Sequence, residues 1–77
     1  MNKTVNIIEI VNNNLNAVFA FKDNEKGNKK ADELALALLK ENANYLSNED
    51  MQFIIDEGYF EDNNGYQLYI AHSINTI

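Results

Sequence analysis

Thr4-Val5-Asn6-Ile7-Ile8-Glu9-Ile10-Val11-Asn12-Asn13-Asn14 is the stretch on which the fold turns. Thr4 to Val11 is rich in β-branched side chains, which fit a pleated and packed surface, and it predicts a strand. The three asparagines tolerate the left-handed backbone of a tight turn. Leu15 to Phe21 then resumes as a second strand, with Leu15, Ala17, Phe19 and Phe21 expected on one face, so the pair predicts an antiparallel hairpin. The first strand presents Val5, Ile7 and Val11 on one side and Ile8 and Ile10 on the other, which makes it either central in a sheet or covered twice.

Downstream, Asp23 to Asn28 reads as a polar loop containing Gly27, with Asn28 as the N-cap of a helix that runs to Leu46. Leu34 to Leu39 is unbroken apolar sequence, wider than the stripe of a surface helix. Ala31, Leu34, Ala35, Leu38 and Tyr45 are expected on the sheet, while Leu36, Leu39 and Ala43 need a second helix or a second subunit. Ser47-Asn48-Glu49-Asp50 is a variant capping box that opens a short helix with Met51, Ile54 and Ile55 inward, and Gly58 ends it. Tyr59 to Asp62 and Tyr66 to Ser73 flank Asn63-Asn64-Gly65, and Asn-Gly between apolar runs is a strong hairpin signal. The order ββααββ predicts an α+β fold: a four-stranded antiparallel sheet with two helices packed on one face, in a single compact domain over residues 1–77.

A chain of 77 residues builds only a small core. Without cysteine it has no disulfide, and with one histidine it cannot assemble an ordinary structural zinc site, so no cofactor or metal is expected. No run is long enough for a membrane helix and Met1-Asn2-Lys3-Thr4 lacks the apolar core of a signal peptide, so the expected location is cytoplasmic. Fourteen asparagines with neither arginine nor proline suit an AT-rich coding sequence.

Charge divides the chain. After Lys40 there is no positive side chain, yet Glu41, Glu49, Asp50, Asp56, Glu57, Glu61 and Asp62 follow, and their −7 against +1 for the residues up to Lys40 gives the net charge of −6. Such a balance disfavours direct nucleic-acid binding, whose affinity comes chiefly from neutralised phosphates. Glu49 and Asp50 suit a helix start, whereas Asp56 and Glu57 close a helix, and Lys29 and Lys30 open one, against the dipole.

Catalytic constellations are lacking. His72, the sole histidine, is expected as a half-buried residue on the Tyr66, Leu68, Ile70, His72, Ile74 side of the last strand, and Ser73 beside it points to the opposite face. Glu61 to Gly65 fails as a calcium loop, since aligning Gly65 with the invariant glycine puts Phe60 and Ala71 where carboxylates are required. The expectation is a binding protein and no enzyme. Its partner-binding surface is expected at Asp56, Glu57, Tyr59, Glu61, Asp62, Tyr66 and Tyr69, carboxylates interleaved with the aromatic type enriched at interfaces. A protein with a basic surface, such as a nucleic-acid-binding effector, is the matching partner.

A short, acidic, cysteine-free ββααββ chain with Tyr59-Phe60-Glu61-Asp62-Asn63-Asn64-Gly65-Tyr66 near its end resembles the small phage-encoded proteins that include anti-CRISPRs and other anti-defence inhibitors. That resemblance implies stoichiometric binding to a host defence protein, through mimicry of nucleic acid or obstruction of assembly. Two alternatives come from other classes. One is a homo-oligomeric structural or accessory protein, such as a homodimer, in which the Leu34 to Leu39 helix and the two-sided first strand pack against a second copy. The other is a sponge that holds a small anion at Lys22, Lys26, Lys29 and Lys30.

Overall fold

A computed structural model describes the backbone of residues 2–75 and the side chains of residues 4–72. The elements are β1 (Asn2–Val11), β2 (Asn14–Lys22), α1 (Glu25–Asn42), α2 (Asn48–Glu57), β3 (Tyr59–Glu61) and β4 (Tyr66–Asn75). The strands form one antiparallel sheet in the order β2-β1-β4-β3, so the ββααββ reading holds and β1 lies inside the sheet, bonded on both sides. The side-chain positions of Ser73 and Ile74 lie outside the described residues.

Both helices cover the face of the sheet that carries Val5, Ile7, Tyr66 and Leu68, and these residues join Ala31, Ala35, Leu39, Met51, Ile54 and Ile55 in one core. Small alanines at Ala31 and Ala35 let α1 approach the strands closely, and Leu39 fills the space one turn further on. Ile8 and Ile10 point to the other face, which no element among the described residues covers. The apolar surplus on α1 is largely absorbed within the chain: Leu34, Leu36 and Leu38 pack at the margin of the core, and Tyr45 lies beyond the helix, exposed.

The first helix starts earlier and ends earlier than its sequence suggests. Asn24, not Asn28, is the N-cap, because its side-chain oxygen accepts the Gly27 N–H at 2.7 Å while Asn28 donates its side-chain amide to Asp23 at 2.9 Å. Glu25 therefore sits in the first turn and Lys40 in the last, both in favour with the dipole, while Lys29 and Lys30 move out of the first turn and Lys26 stands in it against the dipole. The second helix keeps its expected limits: Ser47 Oγ accepts the Asp50 N–H at 3.1 Å, and Gly58 ends the helix at φ 80°.

The first hairpin turns on Asn12 and Asn13, both in the left-handed region at φ 52° and 66°, as a two-residue loop demands. Beyond it β2 departs from simple alternation. Glu9 pairs with Ala17 but Ile10 pairs with Leu15, which leaves Asn16 as the extra residue of a bulge. Leu15 therefore lies on the open face beside Ile10, away from Ala17, Phe19 and Phe21. One inserted residue reverses the side of the sheet that a strand's remaining side chains reach.

Gly27 is a packing requirement that the loop-like sequence around it conceals. A Cβ at this position would lie 1.8 Å from the Lys22 carbonyl oxygen, so the first turn of α1 fits against the end of β2 only without a side chain. Gly27→Ala is therefore expected to destabilise the protein by about 2–3 kcal/mol, as overpacking does. At an unconstrained helical site the same change would stabilise by up to ~1 kcal/mol. The sign of the shift in urea-unfolding midpoint decides between the two.

Candidate functional site

The carboxylates of the C-terminal half are distributed by the phase of α2 and by the pleat of β3. Burial of Met51, Ile54 and Ile55 turns Gln52, Phe53, Asp56 and Glu57 to solvent. Gln52 donates its amide to Asp56 Oδ1 at 3.2 Å along the exposed side of the helix. After Gly58 the chain enters β3, where Phe60 faces the core opposite Leu68, and so Tyr59 and Glu61 must point to the open face. The Tyr59 hydroxyl donates to Glu61 Oε2. Across the strand pair Tyr59 meets Tyr69 with ring centroids 5.1 Å apart and planes inclined at 45°, and the Tyr69 hydroxyl donates to Gln67 Oε1 at 3.1 Å.

Five of the seven expected surface residues thus lie outside the core: Asp56 and Glu57 exposed at the end of α2, and Tyr59, Glu61 and Tyr69 on the open face of β3 and β4. The other two are engaged by the fold. Asp62 Oδ1 accepts the backbone N–H groups of Asn64 and Tyr66 at 2.9 and 3.0 Å and so shapes the turn, while Oδ2 accepts the Tyr45 hydroxyl at 3.3 Å. Tyr66 is 6% exposed and belongs to the core, which removes it from any partner-binding surface. Its position follows from strand alternation, since it shares the inward face with Leu68.

None of Asp56, Glu57, Glu61 and Asp62 has a lysine within 4 Å among the described residues. The donors seen on Asp56, Glu61 and Asp62 are neutral. Asp32, on α1, extends this acidic surface: partial burial raises its pKa first, the nearby Asp56 carboxylate raises it further, and His72 opposes both. Hydrogen bonding to the Glu61 carboxylate, with a smaller desolvation effect, pushes the Tyr59 hydroxyl up to about 12. Desolvation first, then the charge and hydrogen bond of Asp62, raise the Tyr45 hydroxyl in the same direction.

His72 is exposed, not half-buried, and its Nδ1 lies 3.3 Å from Asp23 Oδ2. It sits on the inward side of β4 opposite the core residue Val5, near Asp23 and within electrostatic range of Asp32 on α1, yet the pleat alone does not bury it. Lys22, Lys26 and Lys30 line an open concavity with Phe21, Asn24 and Gly27, and Lys29 is not part of it. No helix among the described residues is long and apolar enough to cross a membrane. Comparison with protein-family models, with curated proteins and with solved structures returned no match.

One buried polar group was not anticipated from the sequence. Glu9 is 6% exposed on the inward face of β1, between Ile7 and Val11. The Tyr66 hydroxyl donates to its Oε2 at 2.7 Å, the Asn16 amide donates to Oε1, and Asn42 donates weakly to the tyrosine oxygen at 3.4 Å. The signal was present as one carboxylate in an apolar face, but the partners lie on three other elements. Burial, then the hydrogen bond and charge of Glu9, raise the Tyr66 pKa far above its ordinary 10.0. A raised folded-state value means that the stabilisation is complete below pH 10 and is lost as pH rises from there toward the folded value. Tyr66→Phe should cost about 1–3 kcal/mol at neutral pH by leaving a buried acceptor unmet. Urea unfolding between neutral and strongly alkaline pH should show a shallower alkaline loss for this variant than for the wild type.

Proposed function

We propose that this chain acts by binding another protein, as a stoichiometric inhibitor or decoy, through the acidic β3 end of its sheet. The observation that carries the reading is that Asp56, Glu57 and Glu61, exposed and close in sequence, have no lysine within 4 Å among the described residues, and that Glu61 accepts the hydroxyl of Tyr59, which packs on Tyr69. A folded monomer gains nothing from crowding carboxylates without cations, and the last turn of α2 carries none to balance its dipole. A partner with lysines and arginines would neutralise them, with the two tyrosines as amphipathic anchors in the middle of the contact.

Resemblance to small phage-encoded anti-defence proteins makes a nucleic-acid-binding host effector the partner class of choice. In that setting the carboxylates would occupy sites that otherwise receive phosphates. Binding alone accounts for the exposed side chains, and the reading assigns no reaction to them.

Immobilised protein should capture such an effector from a bacterial lysate, and capture should weaken as salt screens the contact. The combined variant Asp56→Asn, Glu57→Gln, Glu61→Gln should lower affinity about tenfold or more, and Tyr59→Ala with Tyr69→Ala should act similarly. Glu49→Gln with Asp50→Asn, at the favoured start of α2, should leave capture unchanged. Full capture by the first variant would remove this surface from consideration.

A further inference from the structure

We infer that the free edge of β2 is a self-association surface, on which β2 of a second copy pairs antiparallel and joins two four-stranded sheets into one continuous sheet. The two edges of this sheet are unlike. The β3 edge is three residues long and bordered by Glu61 and Asp62, whereas β2 runs for nine residues and from Asn14 to Phe21 has neither a charge nor a proline. Monomeric proteins blunt such edges with charges, proline or brevity, because a row of unpaired backbone groups templates another strand. Here the blunting devices are the bulge at Asn16 and Lys22 at the far end, with Ala17 to Phe21 regular between them.

Exposed apolar side chains concentrate on the same strand. Leu15, Val18 and Phe19 are 65%, 53% and 36% exposed, and none of them joins the core or its margin. Val18 and Leu15 lie on the open face, opposite Ile8 and Ile10, while Phe19 lies on the helix side, opposite Ile7. A body resting on the open face would cover the first two and leave Phe19 bare. A strand added at the edge flanks both faces at once.

Electrostatics select the same edge and the antiparallel sense. Each copy carries −6, so two copies must meet away from their carboxylates. The β2 edge lies three strand spacings, about 14 Å, from β3 and its acids. β2 itself carries no carboxylate; Glu9 behind it is buried and bonded to Asn16 and Tyr66, and at the far end Lys22, Lys26 and Lys30 stand with Asp23 and Glu25. Antiparallel pairing sets that end of each copy against the uncharged Asn14 end of the other, so the two charged clusters are kept apart. A two-fold arrangement also closes, giving a dimer and no open fibre.

The area is sufficient for a reversible contact. A strand of this length spans about 30 Å, and with the shortest molecular extent of 16 Å this gives roughly 1,000 Å² over both copies, the lower bound for a specific interface. The backbone ladder adds to it, as in other strand-addition contacts. This surface is separate from the acidic one, and a dimer would display two acidic β3 ends at its outer limits.

Light scattering on the intact chain from about 1 μM to about 1 mM should show the mass rise from 8.8 kDa toward twice that value. Val18→Lys with Phe19→Lys should remain at the monomer mass throughout, with an unchanged circular dichroism spectrum. If that variant fails to fold, single cysteines decide, because the chain contains none of its own. Under mild oxidation, one position among Ala17→Cys, Val18→Cys, Phe19→Cys and Ala20→Cys should cross-link most strongly, marking the two-fold axis, while Tyr69→Cys on the open face should not. A wild-type chain that stays monomeric over the whole range overturns the inference, and so does a dimer that cross-links at Tyr69→Cys in preference to β2.

Discussion

The pairing of β1 with β4 is the constraint on which the rest of the structure depends. Ten residue pairs from Asn2↔Asn75 to Val11↔Tyr66 join the two ends of the chain, and every other element is placed relative to that ladder. Its register is held at one end by side chain and backbone together. The Tyr66 hydroxyl reaches Glu9 across 57 residues of sequence, and the Asn12 N–H donates to the Gly65 carbonyl at 2.8 Å, so the two hairpin turns abut. Closing so long a loop is entropically costly, although each doubling of length adds only ~0.6 kcal/mol. A slip by one residue would expose Val5, Ile7 and Leu68 and would separate Glu9 from its donor.

From this ladder follows a molecule with one covered and one open sheet face. The helices lie on the Val5 side, and on the other side Val18, Ile8, Tyr69 and Tyr59 form a row across all four strands. The ends of that row differ in chemistry. At β3 the tyrosines adjoin Glu61 and, past Gly58, Asp56 and Glu57. At β2 the row ends in exposed aliphatic side chains with no carboxylate on the strand. A small protein can carry two separate contact surfaces in this way because opposite edges of one sheet share no side chains.

Much of the fold was legible because its signals are local. Asn12-Asn13, Ser47, Gly58 and Asn64-Gly65 each act through their own backbone or through residues within one turn of them. The start of α1 was misplaced because Asn24 and Asn28 are both competent caps, and the choice between them rests on the approach of Gly27 to Lys22, which is a contact between a helix and a strand. The face of Leu15 was misassigned because the bulge at Asn16 belongs to a pair of strands and leaves no mark in one of them. His72 shares the inward side of its strand yet stays exposed beside Asp23, an outcome that strand alternation alone does not reveal.

Composition and order of residues determined by themselves the α+β class, the ββααββ succession, the lysine-free acidic half and the incapacity for disulfides or an ordinary zinc site. These depend on residue type and near-neighbour spacing alone. Tertiary structure decided that Tyr66 and Asp62 serve the fold while Tyr59, Tyr69, Asp56, Glu57 and Glu61 face outward. It decided likewise that a carboxylate at Glu9 is tolerable in the core, and that the uncovered apolar surface lies on β2 and not on the leucine-rich helix. Each of those outcomes is set by which distant residue comes to lie opposite, and that is fixed only when β1 and β4 pair.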